Sequence, residues 1–564
     1  MIDVLNIPPA FILIFGAFLL PFLKGWSRKT FILILPLITL AAIWQVHDGV
    51  QITAGFLDFE LQLVKGNNLS RLFATVFSIM AFAGGLFALN RNNVIEMVAA
   101  FAYAGSAIGV ALAGDLVTVF VYWELMAVGS TVVVWSAQTP ESGRAAMRYA
   151  LVHLFGGVVL MVGVIAYAQE TGTIDFVHMQ ANSFATWSIL IGFLINTGAP
   201  PLSAWLPDAY PESSWSGSVF LSAFTTKTAV YVLLVGFAGT QFLIWVGLYM
   251  IFYGIIYALL ENDMRRILAY SIINQVGFMV VAVGIGTEMS INGAAAHAFT
   301  HIIYKALLLM SAGSVMYMTG GKRKCTDLGG LFQSMPLTTL AGTIGALAIS
   351  SVPWTSGFIS KSMTNQAAFD EGYAFTWFCL VAASAGVFLH AGIKFPWFVF
   401  FQKDSGLRPK DPPWNMKAAM ILFSILCVWI GVQPQYLYAI LPYPTDYQPY
   451  TQAHVIDMLQ LLLYSGLAFF VLLGLMKRTL TITLDFDWFY RKLAVDIAAK
   501  ATVVIGKCVN IFKSLTNKLI SSAITLATQH HNPRGVLART TPAGIMTFWM
   551  VMLLCAYLVI YLFV

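Results

Sequence analysis

Apolar runs long enough to cross a hydrocarbon core recur along the whole 564-residue chain. They lie near 6–24, 29–46, 69–89, 93–112, 115–136, 146–168, 187–206, 217–238, 241–260, 267–286, 291–318, 336–360, 374–402, 414–436, 455–476 and 543–564. The spacing predicts an all-α polytopic membrane protein of about 14–16 transmembrane helices. No barrel-type alternation is present. The first run lacks a basic leader and a small-residue cleavage site, so it is expected to be a retained helix.

Two stretches break the rule. ITAGFLDFELQLVKG, between the second and third runs, alternates apolar and polar residues at period two and predicts a short external hairpin. From about 487 to 528 the positions Phe489, Leu493, Ile497, Val504, Cys508, Ile511, Leu515 and Leu519 repeat mostly every three to four residues, with Lys492, Lys500, Lys507 and Lys518 mostly on another face. That pattern predicts an amphipathic helix lying along the cytoplasmic interface or a neighbouring protein, too polar to span.

Basic residues set the orientation. With the N-terminus outside, the inside loops hold Lys24, Arg28 and Lys29, then Arg91, Arg144 and Arg148, Arg265 and Arg266, Lys322 to Lys324, Lys403 to Lys410, and Lys477 onward. Lys65 and Arg71 fall on the wrong side, and the loop with Asp208 and Glu212 is acidic where basic residues are expected.

Composition agrees with the pattern: 59% of residues are apolar, 10% charged, and the mean hydropathy is +0.78. The net charge of +6 is concentrated between Lys477 and Arg539, where ten Lys or Arg face Asp485, Asp487 and Asp496. The remainder is near neutral, which argues against nucleic acid as a partner and favours a membrane face or another protein. Five cysteines without CxxC spacing argue against iron–sulfur, zinc and disulfide frameworks, and no P-loop or GxGxxG context occurs. No cofactor, metal or active site is expected on this chain.

Ionisable residues inside apolar runs carry the chemistry. They are Glu124 in VYWELM, His153 in ALVHLFGG, Lys227 in AFTTKTAVY, His297, His301 and Lys305 in AHAFTHIIYKALL, and His390 and Lys394 in FLHAGIKFPW. Each mid-membrane charge costs about 2.5–3.5 kcal/mol, and one acid does not neutralise three lysines. Such lysines belong in a hydrated interior, where a neighbouring charge switches proton uptake and release; this is a proton relay. His297, His301 and Lys305 follow an i, i+4, i+8 spacing on one helix face, and without a glutamate beside the first histidine they read as a proton path in preference to a metal site. Structural ion pairs, snorkelling lysines and hydrogen-bonded core histidines are the plain alternatives.

Two spans are broken by proline, NTGAPPLSAWLPDAY and GIKFPW, the second placing Pro396 beside Lys394. Interruptions at corresponding places in two halves point to inverted five-helix repeats around a central path.

At these residues the chain resembles the antiporter-like subunits shared by Mrp-type multisubunit Na+/H+ antiporters, respiratory complex I and membrane-bound hydrogenases, closest in tone to the Mrp D-type subunit. The matching pieces are VYWELM, PPLSAWLPDAY, SAFTTKTAVY, NDMRRILAYSIINQVGFM, HAFTHIIYKALLLMSAG, MPLTTLAGTIGALAISSVPWTSGFISK and the Lys394 segment, in order over about residues 70–405. The resemblance implies that Glu124 is the acid of a Glu/Lys pair, Lys227 a bridging lysine, Lys305 the central lysine with His301 beside it, and Lys394 the terminal relay residue of the second half-channel. Arg148, His153, His390 and Lys361 are accessory candidates. The family pattern KxPxxPFHxWLPDA is departed from at two places, with Asn196 where the lysine stands and Ser203 where the histidine stands; Arg148 or Lys227 is the candidate replacement cation.

The organisation expected is N-terminal helices with the hairpin (1–90), an antiporter-like core (91–405), further core helices (406–476), an amphipathic helix and linker (477–542) and a terminal span (543–564). The function expected is that of a multi-pass subunit in a bacterial plasma membrane, working with other subunits and membrane lipid and exchanging H+ for Na+. A proton-pumping subunit of a complex I-like or hydrogenase complex is the alternative, and a transport-inactive scaffold a third.

Overall fold

The computed structural model describes residues 7–474, Asp485 and residues 488–563. Asn6, Lys477, Arg478, Asp487 and Val564, which the apolar runs and the tail charge include, lie outside the described residues. Among the described residues the fold is helical with one two-stranded sheet, and it divides into two units, 1–487 and 488–564.

Unit one opens with α1 (Pro9–Leu19), extended by a 3-10 turn to Phe22, and α2 (Gly25–Ile43). The period-two stretch forms β1 (Gly49–Phe56) and β2 (Phe59–Gly66), paired antiparallel. Gln62 holds this hairpin down, its backbone amide donating to Asp115 (2.7 Å) and its side chain to Asp175 (2.6 Å). Then come α3 (Asn68–Phe87), α4 (Val94–Leu112), α5 (Leu116–Trp135) and α6 (Pro140–Thr171). Asn67, Asn93, Asp115 and Thr139 start them, each side chain accepting from a first-turn amide.

The span after α6 is interrupted as the proline pair requires. α7 (Phe184–Thr197) stops at Gly198, whose φ of 79° is open to glycine, and the chain resumes as the short α8 (Trp205–Ala209). A second interruption separates α9 (Gly217–Leu221) from α10 (Thr225–Gly236). α11 (Phe242–Leu260) and α12 (Met264–Ile285) follow as a tight pair. A Cβ built on Gly247 would lie 2.6 Å from the Gly277 carbonyl oxygen and one on Gly277 2.7 Å from that of Gly247, so the two backbones touch.

α13 (Glu288–Met318) is the central helix, buried from Ser290 to Val315 and packed on α3, α12 and the helices after it, α14 (Pro336–Ile349), α15 (Ser356–Asp370) and α17 (Trp414–Val432). Between α15 and α17, α16 (Ala374–Val387) continues into a π-helical segment, Phe388–Lys394. The unit closes with the turn α18 (Gln435–Tyr438) and α19 (Gln452–Val471). Among the described residues 13 helices are long and apolar enough to span a membrane, and three shorter apolar helices, Pro9–Phe22, Phe184–Thr197 and Pro336–Ile349, complete the sixteen runs of the sequence.

The order of elements repeats. α6 and α13 have 32 and 31 residues, each starts on a threonine whose side chain accepts from the amide of a serine three residues on, and each precedes a 14-residue helix followed by a break. At the second break Ser351 and Trp354 take positive φ, 60° and 64°. By the alternation of spans the two sets run in opposite senses.

Unit two holds α20 (Ala494–His531), 38 residues with none buried, and α21 (Ala543–Phe563), an apolar helix of spanning length.

A buried polar chain as candidate functional site

Glu124 sits midway along α5, half-buried and facing α6 at Gly157, where a Cβ would stand 1.8 Å from its Oε1. That oxygen has no hydrogen-bond partner. One turn earlier on α6 is His153, 1% exposed, with Nδ1 2.8 Å from Asn196 Oδ1 and Nε2 unpartnered. The imidazole packs between Tyr149 (centroids 4.0 Å) and Trp205 (4.6 Å), and Trp205 donates to the Ile195 carbonyl across the α7 break. The Tyr149 hydroxyl lies 3.0 Å from Ser130 and 3.3 Å from Thr225, which also meets Tyr103 at 2.6 Å. Thr225 opens α10, and two residues on is Lys227, wholly buried, donating to the Ser222 carbonyl (2.6 Å) and Thr226 (3.1 Å).

α13 carries the chain onward. His297 Nδ1 lies 3.1 Å from Ser360, which also meets Thr300 at 3.0 Å. Tyr304 donates to Gln275 (3.1 Å). His301 is fully buried between the His297 and Tyr304 rings, with both ring nitrogens unpartnered. Lys305 donates to Ser271 (2.8 Å). Next to Ser360, Lys361 donates to the Ile349 carbonyl at the end of α14 (2.7 Å) and stands 5.0 Å from the Phe278 ring. Lys394 takes three carbonyls at the end of α11, those of Ala258, Leu259 and Glu261. His390 is buried and bonds the Gly386 carbonyl.

These lysines are met largely by carbonyls at helix ends and breaks. The final carbonyls of a helix carry about half a negative charge and lack intrahelical partners, so an ammonium satisfies both deficits. Among the described residues no ion pair includes Glu124, Lys227, Lys305, Lys361 or Lys394, so Glu124 and Lys227 are not ion-paired.

Charge pairing is instead concentrated around the start of α12. Arg148 grips Asp208 with two bonds of 2.6 and 2.8 Å and forms no ion pair with Glu124. Arg323 bonds Glu212 (2.9 Å) and Asp263 (2.8 Å), and Arg266 bonds Glu261 (3.1 Å). The acidic loop that departs from the expected charge pattern is therefore neutralised by basic residues far away in sequence, and misplaced Arg71 is matched likewise by Asp48 (2.6 Å). Burial raises the Asp263 carboxyl above its ordinary value against the pull of Arg323; for Arg323, Asp263 and Glu212 outweigh burial and hold the guanidinium above its own. Glu96, buried on α4, accepts from Arg91, Ser136, Ser214 and Ser216. Asp485, which in the sequence reads only as a tail charge, is buried and accepts from Tyr253 (2.7 Å) and Tyr270 (2.5 Å).

Residues 113–388, which contain every group from Glu124 to Lys361, match the family described as NADH:quinone oxidoreductase/Mrp antiporter, transmembrane. The chain is similar to that family over just under half of its length. Its relatives include the D component of the Na+/H+ antiporter of Alkalihalophilus pseudofirmus, 32% identical over 47% of this chain and 58% of the relative. The A/B component of a probable K+/H+ antiporter of Rhizobium meliloti is 28% identical over 65% and 39%. Hydrogenase-4 component B of Escherichia coli is 26% identical over 70% and 66%. The chain thus spans between 39% and 66% of these relatives' lengths. In fold, the chain is similar to chains of two solved assemblies. One is the Mrp complex of Dietzia sp., with a TM-score of 0.68 and 21% identity over 80% of this chain and 99% of that one. The other is an archaeal membrane-bound sulfane sulfur reductase, with a TM-score of 0.69 and 23% identity over 81% and 98%.

Proposed function

We propose that the chain is the proton-conducting component of a multisubunit monovalent cation/proton antiporter in a bacterial plasma membrane. Protons enter the relay at Glu124 and pass through Lys227, His301, His297 and Lys305 to Lys361 or Lys394. The observation that carries this is the succession of buried, titratable side chains running from α5 through α10 and α13 to α15, spaced by Tyr, Thr, Ser and Gln hydroxyls and amides. Partner subunits are part of the reading, because the named relatives and fold neighbours are components of larger assemblies.

The test uses everted vesicles from cells expressing the whole assembly. Lys227→Ala is expected to abolish Na+- or K+-driven proton flux, read with a pH-sensitive dye, while assembly persists; flux near the wild-type level would overturn the reading. A redox-driven pump is the second reading, favoured by the likeness to the hydrogenase component and the sulfur reductase. It predicts flux on addition of a reductant with no response to added cation.

A further inference from the structure

Among the described residues Glu124 has no ion-pair partner, and the nearest turn of α6 offers a group able to exchange protons with it. We propose that His153 is the proton-exchange partner of Glu124, held in its working tautomer by Asn196. This rests on the relay reading above.

Three observations converge. The first is the shared face: Glu124 Oε1 occupies the notch at Gly157, and His153 is four residues before Gly157 on the same side of α6. The second is tautomer control. Asn196 Oδ1 accepts from Nδ1–H, which leaves Nε2 as the ring's lone-pair nitrogen, and that atom is buried and unpartnered. The third is internal repetition. Counted from the capping threonines of α6 and α13, Tyr149, His153 and Gly157 stand at the same positions as His297, His301 and Lys305. His153 is thus the counterpart of His301, while Gly157 leaves space where the second set has an ammonium, and Glu124 fills it. In the transfer the protonated Glu124 gives its proton to Nε2, leaving carboxylate and imidazolium. The proton on Nε2 then passes to the neutral amine of Lys227, the next relay group, leaving an ammonium there and the imidazole in its starting tautomer. Tyr149, against the ring and bonded to Thr225, leads toward Lys227.

The experiment is cation-driven proton flux in vesicles bearing the full assembly. His153→Gln is expected to lower flux about tenfold or more. Adding Asn196→Lys to His153→Gln should recover part of it, because an ammonium then stands beside the vacated site. Asn196→Leu, which keeps the imidazole but removes its acceptor, is expected to lower flux by about threefold or more with the protein level unchanged. Loss in His153→Gln with no recovery from the added lysine would assign His153 to packing and overturn the proposal, as would wild-type flux in Asn196→Leu or His153→Gln. If Lys227→Ala abolishes flux while His153→Gln does not, only this inference fails; if neither matters, the relay reading itself fails.

Discussion

Gly157 sets how closely the Glu124 carboxylate approaches α6. A methyl there would sit 1.8 Å from Oε1, so Gly157→Ala must displace the carboxylate or part α5 from α6. Overpacking of this kind costs about 1–3 kcal/mol. Proton flux is expected to fall while Gly143→Ala, at a position with open space on the same helix, leaves it unchanged. The lysines at the far end separate in the same manner. Lys394 spends all three of its donors on the end of α11, whereas Lys361 has one carbonyl and a ring face. Lys361→Met is therefore expected to reduce flux with the protein intact. Lys394→Met is expected to reduce the amount of folded protein, by immunoblot and thermal stability, because it strips the cap from α11.

The energetic oddity of mid-membrane charge makes the lysines and histidines legible in sequence, since nothing but a polar interior tolerates them. Their partners are not legible, because they are carbonyls at breaks whose three-dimensional neighbours lie far along the chain. Lys361 is obscured for a related reason: SGFISKSMTNQ is polar enough to look like a helix end, and only its burial on α15 reveals a core position. Asn196 is visible as a departure, but its partner His153 lies 43 residues earlier.

At the scale of elements, the α11–α12 pair is the rigid post of the second half. Gly247 and Gly254 of α11 meet Gly277 and Gly284 of α12 or their neighbours backbone to backbone. Lys394 caps the foot of α11, and Asp485 joins Tyr253 to Tyr270 across the pair. Gly277→Leu has no room and is expected to eliminate assembled protein; the smaller Gly277→Ala should lower thermal stability measurably in detergent. Breaks, by contrast, are readable in advance at Pro200 and Pro201. The interruption before Thr225 is not, because TTKTAVYV continues an apolar pattern without proline or a flanking glycine.

Over the whole molecule, the sixteen apolar runs reappear as helices because length and hydropathy leave a membrane chain few choices. The internal repeat is legible in the sequence only as broken spans. Its real signature is the matched caps, Thr139 with Ser142 and Thr287 with Ser290, which emerge once helix starts are known. The buried chain then has an arithmetic of its own. Lysines resting on carbonyl oxygens have no fixed counter-ions, so each added proton raises the potential felt by every other site in a poorly screened interior. On the proposed relay such a row is never fully loaded: it would behave as a queue in which an arrival at one end obliges a departure at the other, with the number of protons aboard held nearly constant.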